Sequence, residues 1–344
     1  MDVLKDSISD ILSFGDNKKT HNSLNISYGV DRHFLFGAAI SMQSIVNNNK
    51  DLDISFHLFT DYLDYDYNKR ITLFCKNNTN VNVTIYKISD KFINIFPSAK
   101  QWSYATFFRF IAFDFLAEHC HNLLYIDADI ICKGSIRELL ELEFSDLYYA
   151  AVVKDNEFMQ GKPAERLNVD GLPGNYFNAG FIYLNLKAWK KNKFMQQALS
   201  MLASDVEHKK YKCLDQDILN ILFFKHCLFL DDKYDKLYGV DYELDFESEN
   251  EYQSYINDDT RLVHYVGITK PWHNWTEYPS ESYFYEAYRS SAWSDVPLLD
   301  AKGEGQFKAK SMHDKKNGRS VSSFWYFLKY RIVKTIRKLS ANCS

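Results

Sequence analysis

The chain has 344 residues, a formal net charge of −4, 46% hydrophobic residues and 16% aromatic residues. This composition excludes a disordered protein, and the length suffices for a large core in one or two domains. The six cysteines form no CxxC pair, and the sequence shows neither a signal peptide nor an apolar run of the ~18 residues that a membrane span needs, so we expect a cytosolic protein.

Predicted strands and helices alternate in the first part of the chain. Residues 1–22 show no sustained periodicity and are expected to form a flexible leader. After the leader we predict strands over 25–30, 54–59, 81–88 and 123–127. The intervening segments are predicted to be helices over 34–46, 65–75 and 103–116. This order is typical of an α/β fold with a mainly parallel sheet, flanking helices and right-handed crossovers.

The later part of the chain continues the pattern less regularly. Strands are predicted over 148–153, 181–186 and 262–265, and helices over 189–202, 217–224 and 281–289. The polar segment 158–174 is long enough to be a lid, and 231–259 gives a mixed signal. Because no linker precedes residue 300, residues 23–300 are expected to form one domain.

The strand over 123–127 leads into Asp127-Ala128-Asp129. Alternate residues of an extended chain point the same way, so the two carboxylates would project together, with the small Ala128 between them. At the carboxyl end of a strand, such a pair could bind Mg²⁺ or Mn²⁺, and the ion could hold a substrate diphosphate. The alternative is a solvated turn between strand and loop.

Two further clusters lie beside predicted strands. Gly29-Val30-Asp31 ends the first strand, where a nucleotide base and ribose commonly bind, although the glycine could serve only a turn. Asn178 and Gly180 precede a buried strand and suit hydrogen bonds to sugar hydroxyls. A β-turn with an Asx hydrogen bond would explain the same residues.

Two more clusters follow in the later part of the chain. Asp215-Gln216-Asp217 begins a predicted helix, and its three polar groups suit a sugar, although helix capping alone would explain one acid. His264 lies at a strand end, Gly267 permits close backbone approach, and Lys270 follows. These three residues could supply a metal ligand and a phosphate clamp, whereas a lone histidine is usually a core or surface residue.

Four motifs, in this order, resemble those of glycosyltransferase family 8: Asp127-Ala128-Asp129, Phe177-Asn178-Ala179-Gly180, Asp215-Gln216-Asp217 and His264-Tyr265-x-Gly267-x-x-Lys270-Pro271-Trp272. More narrowly, Ser27-Tyr28-Gly29-Val30-Asp31 and the carboxyl-terminal portion resemble the bacterial lipopolysaccharide core hexosyltransferases. The resemblance implies a GT-A fold, a UDP-hexose donor and a Mn²⁺ or Mg²⁺ ion. It also implies retaining transfer to the outer core of lipopolysaccharide, with glucose favoured over galactose and an α-1,2 linkage expected.

The resemblance implies a role for each matching residue. Metal ligands would be Asp127, Asp129 and His264. The two aspartates would also help to bind the donor, together with Gly29, Asp31, Arg109, Ala128, Asp155, Gly267 and Lys270. The sugar and its anomeric carbon would be surrounded by Asn178, Asp215 and Gln216, with support from Asp217. Characterised relatives often carry a paired acid followed by Asn-Tyr in the first loop; here Val30-Asp31-Arg32-His33 stands, which leaves Asp31 as the expected contact to uracil and ribose.

The expected chemistry follows from these parts. Breaking the bond between the anomeric carbon and UDP develops negative charge on the leaving phosphate, which a metal ion and Lys270 would oppose. Retention requires either a covalent glycosyl-enzyme or a front-face attack by the acceptor hydroxyl. By resemblance Gln216 is the nearest nucleophile, and because an amide is a poor one we favour the front-face route.

Two other classes of protein share some of these features. A phosphatase or phosphomutase usually carries Asp-x-Asp-x-Thr, but Ile130-Ile131 follows Asp129 here. A non-enzymatic peripheral membrane or sugar-binding protein with a vestigial metal site would account for the aromatic residues and the basic tail. It would leave the later motifs unexplained.

Residues 301–344 are predicted to form a basic amphipathic tail. From Gln306 to the end, ten Lys and Arg residues stand against one Asp. Helical spacing gives an apolar stripe that includes Trp325 and Ile332, with basic residues at the other positions. We therefore expect peripheral binding to the anionic cytoplasmic face of the inner membrane, and nothing else in the sequence supports nucleic-acid binding. The alternative is a terminal helix packed on the core.

Overall fold

Two β-sheets form the centre of the part of the chain that the structure describes. The structure is a computed structural model and describes residues 7–15, 23–93, 104–205, 207, 209–239, 242, 244 and 248–342. The strands of the larger sheet are β1 (Ile8–Phe14), β2 (Ser23–Val30), β3 (Asp53–Thr60), β4 (Val81–Ile88), β5 (Asn122–Ile126), β7 (Ala150–Lys154), β8 (Phe177–Asn185) and β9 (Cys227–Phe229). Those of the smaller sheet are β6 (Ile130–Cys132), β10 (Lys236–Tyr238) and β11 (Leu262–Tyr265).

The described part of the chain contains thirteen α-helices. They are α1 (Leu35–Asn48), α2 (Tyr65–Asn77), α3 (Asp90–Ile93), α4 (Phe108–Leu116), α5 (Glu157–Gln160), α6 (Lys162–Glu165), α7 (Leu186–Lys191), α8 (Phe194–Ser204), α9 (Leu214–Leu222), α10 (Glu249–Tyr255), α11 (Glu281–Ser290), α12 (Gly303–Lys316) and α13 (Ser320–Asn342). One buried cluster packs α1, α2 and α11 on one face, and a second packs α4, α7, α8 and α9 on the other. Among the described helices, none combines the length and the apolar character needed to pass through a bilayer.

The strand order of the larger sheet is β1-β4-β3-β2-β5-β8-β7-β9. Strands β4, β3, β2 and β5 are parallel, as their helical crossovers predict, and β9 is parallel to β7. The pairings of β1 with β4 and of β8 with β5 and β7 are antiparallel. The expected α/β fold with a mainly parallel sheet is confirmed, and its antiparallel part is an addition that strand and helix order alone did not reveal.

Residues 8–14 differ from the expected flexible leader. Strand β1 pairs antiparallel with β4 at the edge of the sheet, and Leu12 and Phe14 pack against the core. Most of its other side chains are exposed, which is why no sustained periodicity marks the strand in the sequence. The remainder of the predicted leader, residues 1–6 and 16–22, lies outside the described residues.

Two predicted segments are divided more finely than expected. The single helix predicted over 189–202 is split into α7 and α8 at Lys193, whose φ is +53°. The predicted lid over 158–174 contains most of α5 and all of α6 rather than an open loop. It is anchored by the buried side chains of Ala164, Leu167 and Leu172, so the described segment is packed onto the domain.

The smaller sheet brings a distant part of the chain beside the turn after β5. Strand β11 runs antiparallel to β6, and His264 lies opposite Ile130. Strand β10 runs parallel to β11 on its other side. Because β6 begins directly after Asp129, this pairing places the end of β11 next to the Asp127-Ala128-Asp129 motif.

Candidate active site

The two acidic residues of the central motif lie in a tight turn between β5 and β6. Strand β5 ends at Ile126, and the Ile130 N–H donates to the Asp127 carbonyl at 3.1 Å. The Asp127 N–H donates to the Gly180 carbonyl at 2.8 Å. The carboxylates therefore converge because of the turn, and not because both extend from a strand as the sequence suggested.

A carboxylate or imidazole atom from each of Asp127, Asp129 and His264 lies within 4.8 Å of the others. We call these three residues the Asp-Asp-His cluster. Oxygen and imidazole nitrogen ligands suit a divalent metal ion. The cluster brings together the three residues that the sequence assigned to a metal site.

Asp235 orients the histidine of this cluster. Its Oδ1 lies 2.8 Å from His264 Nδ1, while His264 Nε2 lies 3.3 Å from Asp129 Oδ1. A carboxylate on Nδ1 fixes the ring so that Nε2 faces the cluster, which is the usual outer-shell arrangement for a metal-binding histidine. Asp235 is buried, and its Oδ2 has no hydrogen-bond partner in the described part of the chain. Sequence reasoning missed Asp235, because the segment around it gave a mixed signal.

Opposite charges set the ionisation of the cluster. Burial alone would raise the pKa of the Asp129 carboxyl, but Lys270 and His264 outweigh it and hold that pKa well below its usual range. Burial alone would lower the pKa of His264, but Asp235 and Asp129 reverse it and raise that pKa well above the usual value. Binding of a metal ion would therefore displace a proton from the imidazole.

Gly180 is required by the geometry of the histidine. A Cβ built on Gly180 would overlap the His264 ring and would lie 2.9 Å from its Nδ1. The same Cβ would lie 2.9 Å from Asn178 Oδ1. The sequence pointed to a glycine that allows close approach at this position, and the structure gives the steric reason.

Arg109 on α4 ties together two of the predicted acidic residues. Its guanidinium contacts Asp127 Oδ1 at 2.9 Å and Asp215 Oδ2 at 2.9 Å, and it also donates to the Ala179 carbonyl. The guanidinium lies 4.2 Å from the centre of the Tyr125 ring. Burial raises the pKa of Asp215 to about 6, although Arg109 opposes that rise. Arg109 thus fixes the positions of the Asp127 and Asp215 carboxylates relative to each other.

Three polar side chains form what we call the amide network: Asp155, Asn178 and Gln216. Gln216 donates from Nε2 to Asp155 Oδ2 at 3.0 Å, and its Oε1 accepts the Ala179 N–H at 2.9 Å. Asn178 donates to the same Asp155 oxygen at 3.2 Å and accepts the Gly180 N–H at 2.7 Å. Burial raises the pKa of Asp155 despite these hydrogen bonds. The network lines β8 immediately beside the Asp-Asp-His cluster.

Asp217 is not part of this network. It accepts hydrogen bonds from the Tyr176 hydroxyl at 2.7 Å and from the Cys213 N–H at 2.9 Å, and it pairs with Arg166. Of these partners, Arg166 belongs to the lid, Tyr176 follows the lid just before β8, and Cys213 immediately precedes α9. The structure therefore separates Asp217 from Asp215 and Gln216, and its contacts are those of a residue that anchors the lid.

Lys270 approaches the cluster from the segment after β11. Its ammonium pairs with Asp129 Oδ2 and donates to the Tyr265 carbonyl at 2.8 Å. Gly267 adopts a φ of +86°, a conformation that favours glycine, and turns the chain back toward the cluster. We call residues 267–270 the Gly267–Lys270 loop.

The opening motif lies at the carboxyl end of β2. A Cβ on Gly29 would lie 3.1 Å from Phe108 Cβ and 3.2 Å from Arg109 N, so the glycine allows α4 to pack closely. Asp31 is partly exposed and accepts the His33 N–H at 2.9 Å, which forms an Asx turn. Only Asp31 of this motif therefore offers a side chain that a ligand could reach.

The residues around the Asp-Asp-His cluster fit a divalent metal ion. Arg109 pairs with both Asp127 and Asp215, and Lys270 pairs with Asp129. Asp155 accepts hydrogen bonds from neutral amides, and Asp235 contacts His264. Negative charge is thus in excess, and Asp235 keeps one oxygen without a partner among the described residues. A divalent cation would balance this charge.

Comparisons with known proteins agree with the motifs. The sequence model of Glycosyl transferase family 8 matches residues 25–276, and the model of the C-terminal region of that family matches residues 278–334. A lipopolysaccharide 1,2-glucosyltransferase from Escherichia coli is 37% identical over 312 residues, covering 91% of each chain. A lipopolysaccharide 1,3-galactosyltransferase from Salmonella typhimurium is 36% identical over 310 residues, covering 90% of each.

A solved structure supports the fold. The galactosyltransferase LgtC, determined with donor and acceptor sugar analogues, matches with a TM-score of 0.61 and 19% identity. The match covers 83% of this chain and 100% of LgtC. The expected GT-A fold is confirmed by this likeness.

Proposed function

Because this chain belongs to glycosyltransferase family 8, we propose that it transfers a hexose from a UDP donor to the outer core of lipopolysaccharide, with retention of the anomeric configuration. The observation that carries the proposal is the Asp-Asp-His cluster, which has Lys270 on its Asp129 side and the amide network beside it on β8. This arrangement provides adjoining places for a diphosphate and a sugar.

The diphosphate is assigned to the cluster and the Gly267–Lys270 loop. When bound, a Mn²⁺ or Mg²⁺ ion would neutralise the diphosphate oxygens and stabilise UDP as a leaving group. Asp127, Asp129 and His264 would hold the ion. Lys270 places a positive charge where negative charge develops on the leaving phosphate, and Gly267 lets the backbone approach the phosphate oxygens.

The sugar is assigned to the amide network. Gln216 is fixed at both ends of its amide, since its oxygen accepts from Ala179 and its nitrogen donates to Asp155. An amide oxygen that already accepts a hydrogen bond is a weak nucleophile, which favours direct front-face attack by the acceptor hydroxyl. The amide network then orients the sugar and its anomeric carbon, and Arg109 keeps Asp215 close by.

The uracil and ribose are assigned to the end of β2. Asp31 is the accessible polar side chain of that motif, and it follows β2, which pairs with β5, the strand whose end carries the cluster. Ligand crevices in open α/β sheets form outside the carboxyl ends of the strands, where β2 and β5 both end.

The tail is assigned to a membrane surface. On α13, the side chains of Trp325, Ile332, Ile336 and Leu339 are each 58–61% exposed, and helical spacing places them within an arc of about 60°. Lys329 lies on one side of this stripe and Arg331 and Lys338 on the other. Apolar residues flanked by basic ones suit the interface of an anionic bilayer, where each basic residue contributes ~1 kcal/mol. We assign this surface to the cytoplasmic leaflet, where a lipid-anchored acceptor would be reached.

The donor sugar is assigned as glucose, with galactose as the second candidate and an α-1,2 linkage as the expected product. The two relatives described above are a 1,2-glucosyltransferase and a 1,3-galactosyltransferase, and their similarity to this chain is nearly equal. The choice of glucose therefore needs a direct measurement.

Donor hydrolysis and transfer test the proposal together. The purified protein is incubated with UDP-glucose or UDP-galactose and with Mn²⁺ or Mg²⁺, first alone and then with lipopolysaccharide of truncated outer core. We expect metal-dependent hydrolysis of UDP-glucose and an α-linked product. Tighter binding of a nucleoside diphosphate other than UDP would reject the donor, and a β-linked product would reject retention.

A further inference from the structure

Helix α12 lies against the Gly267–Lys270 loop. Gln306 on this helix donates from Nε2 to the Ile268 carbonyl at 3.3 Å, and its Oε1 accepts the Lys302 N–H at 2.7 Å. A Cβ built on Gly305 would lie only 2.6 Å from Ile268 Cδ1, so the helix approaches the loop closely. Ile268 itself is half-exposed. Helix α12 therefore holds the Ile268 part of the loop by a hydrogen bond and by close packing.

His273 lies between the same helix and the backbone of Lys270. Its Nδ1 accepts the Lys270 N–H at 2.9 Å, and its Nε2 lies 3.2 Å from the amide nitrogen of Gln306. The ring is buried and stacks on Trp275 with ring centres 5.4 Å apart. Burial, with Lys270 nearby, lowers the pKa of His273 to about 4, so the ring is neutral at neutral pH. Because Nδ1 accepts the Lys270 N–H, the ring proton is on Nε2, and the approach of Nε2 to the Gln306 nitrogen is a packing contact and not a hydrogen bond.

The C-terminal hairpin of α12 and α13 is itself firmly joined to the domain. His313 on α12 accepts the Glu277 N–H at 3.0 Å, and Arg319 pairs with Glu277 and with Asp314. Between the helices, Ser311 and Ser323 each donate to the carbonyl of the other at 2.8–2.9 Å. Movement of the hairpin would therefore displace Glu277, seven residues after the end of the loop.

We infer that Gln306 is a positioning residue for the Gly267–Lys270 loop. The C-terminal hairpin, which carries Gln306, thereby contributes to binding of the donor diphosphate. The inference rests on the proposed contact between Lys270 and the donor phosphates. Gln306 holds the Ile268 carbonyl on one side of the loop, and His273 holds the Lys270 N–H on the other. Together they fix the backbone from which the Lys270 ammonium extends to Asp129.

The test compares two ligands that differ in their phosphates. Binding of UDP and of uridine to full-length protein is measured by calorimetry in the presence of Mn²⁺. For Gln306→Ala we expect the Kd of UDP to rise about threefold to tenfold, the effect of losing one or two hydrogen bonds. The Kd of uridine should not change, because uridine has no diphosphate. Gln306→Glu, which keeps the acceptor for Lys302 but loses the donor to Ile268, should show the same selective loss.

Met312→Ala is the matched control, because Met312 is an exposed side chain on the same helix. It should leave both Kd values unchanged. Equal weakening of UDP and uridine by Gln306→Ala would mean a general structural effect and would overturn the inference.

A Lys270→Ala variant separates this inference from the function on which it rests. If Lys270→Ala weakens UDP binding and both Gln306 variants leave it unchanged, the inference is wrong and the donor site stands. If Lys270→Ala itself leaves UDP binding unchanged, the proposed phosphate contact fails and the inference fails with it.

Discussion

Asp127 and Asp129 belong to one motif but differ in their surroundings. The Asp127 side chain is 32% exposed, whereas that of Asp129 is 11% exposed and lies between Lys270 and His264. Removing the Asp129 charge would leave a buried ammonium without its anion, while Asp127 shares Arg109 with Asp215. The two substitutions should therefore differ in their effect on folding.

For Asp127→Asn we expect loss of metal-dependent UDP binding and at least a ~100-fold fall in transfer, with little change in the free energy of unfolding. For Asp129→Asn we expect the same loss of activity and a fall in stability on the order of 3 kcal/mol. Calorimetric titration with Mn²⁺ and UDP, together with urea unfolding, measures both quantities. Normal activity in the Asp127→Asn protein would show that the metal ligands are assigned wrongly.

Gln216 should act on the rate of the chemical step. For Gln216→Ala we expect a large fall in kcat and only a modest change in the KM for the donor, because we propose that the side chain contacts the sugar and not the nucleotide. Steady-state kinetics with the preferred UDP-sugar provides the measurement. A sugar adduct trapped on residue 216 or 217 would instead favour a covalent glycosyl-enzyme.

Asp215 should make stability depend on pH in a defined direction. Burial raises its pKa from 3.8 to about 6, so between these values the folded protein holds a proton that the unfolded chain releases. This contribution to stability is fully present below the unfolded-state pKa and is lost as the pH rises through 6. It amounts to on the order of 3 kcal/mol.

Asp215→Asn provides the comparison, because an amide does not titrate in this range. The stability of the natural protein relative to the variant should fall as the pH rises from 4 to 7, and urea unfolding at several pH values measures it. A difference that stays constant over this range would show that the Asp215 carboxyl keeps its ordinary pKa.

At the scale of elements, α13 packs on α12, and it also keeps the exposed stripe on which the proposed membrane binding rests. One side of the helix packs on α12 through Ser323 and Tyr326, and the opposite side carries the exposed apolar stripe. Removing the whole helix would expose the side of α12 that packs on it and would remove the hydrogen bond from the Ser322 hydroxyl to the Asp314 carboxylate. Substitutions on the exposed stripe alone are therefore the cleaner test of membrane binding.

For the triple substitution Trp325→Gln, Ile332→Gln and Ile336→Gln we expect release from anionic vesicles, because the apolar contact with the acyl chains is lost. Hydrolysis of the soluble donor should be unchanged. Sedimentation with vesicles of anionic lipid measures binding, and Thr335→Gln with Ser340→Gln serves as the control on exposed polar positions. If the triple variant still sediments with the vesicles, α13 is not the membrane contact.

At the scale of the whole molecule, the chain around residue 300, where the tail is predicted to begin, is held by hydrogen bonds to residues 272–274. Asn274 N donates to the Leu299 carbonyl at 2.9 Å, Leu299 N donates to the Trp272 carbonyl at 2.9 Å, and the Asn274 side chain donates to Asp300. The hairpin beyond the boundary is joined to Glu277 by His313 and Arg319. Residues 23–300 and the tail are therefore connected by contacts as well as by the chain.

We expect the hairpin to unfold together with the GT-A domain. Calorimetry should give one transition with equal calorimetric and van't Hoff enthalpies, and amide exchange in α12 should be as slow as in the central strands. Early exchange of α12 and α13, before the sheet opens, would show that the tail is a separate unit.

The sequence by itself determined the alternation of strands and helices from β2 to β5, the position of each motif and the basic character of the tail. Periodicity and residue type are local properties, so β2, β3, β4 and β11 could be predicted within two residues of their observed bounds. Asp127, Asp129 and His264 could be assigned to one site because each lies at or just after the end of a predicted strand. The resemblance to the family then indicated that the three residues bind the same metal ion.

Only the tertiary structure decided which side chains meet. Asp235 contacts His264, and Asp217 contacts Arg166 and the Tyr176 hydroxyl. These contacts form because folding brings together segments that are separated in the chain. The edge strand β1 and the contact of Gln306 with the Gly267–Lys270 loop have the same origin. Each is fixed by hydrogen bonds and packing across long sequence separations, which local periodicity does not record.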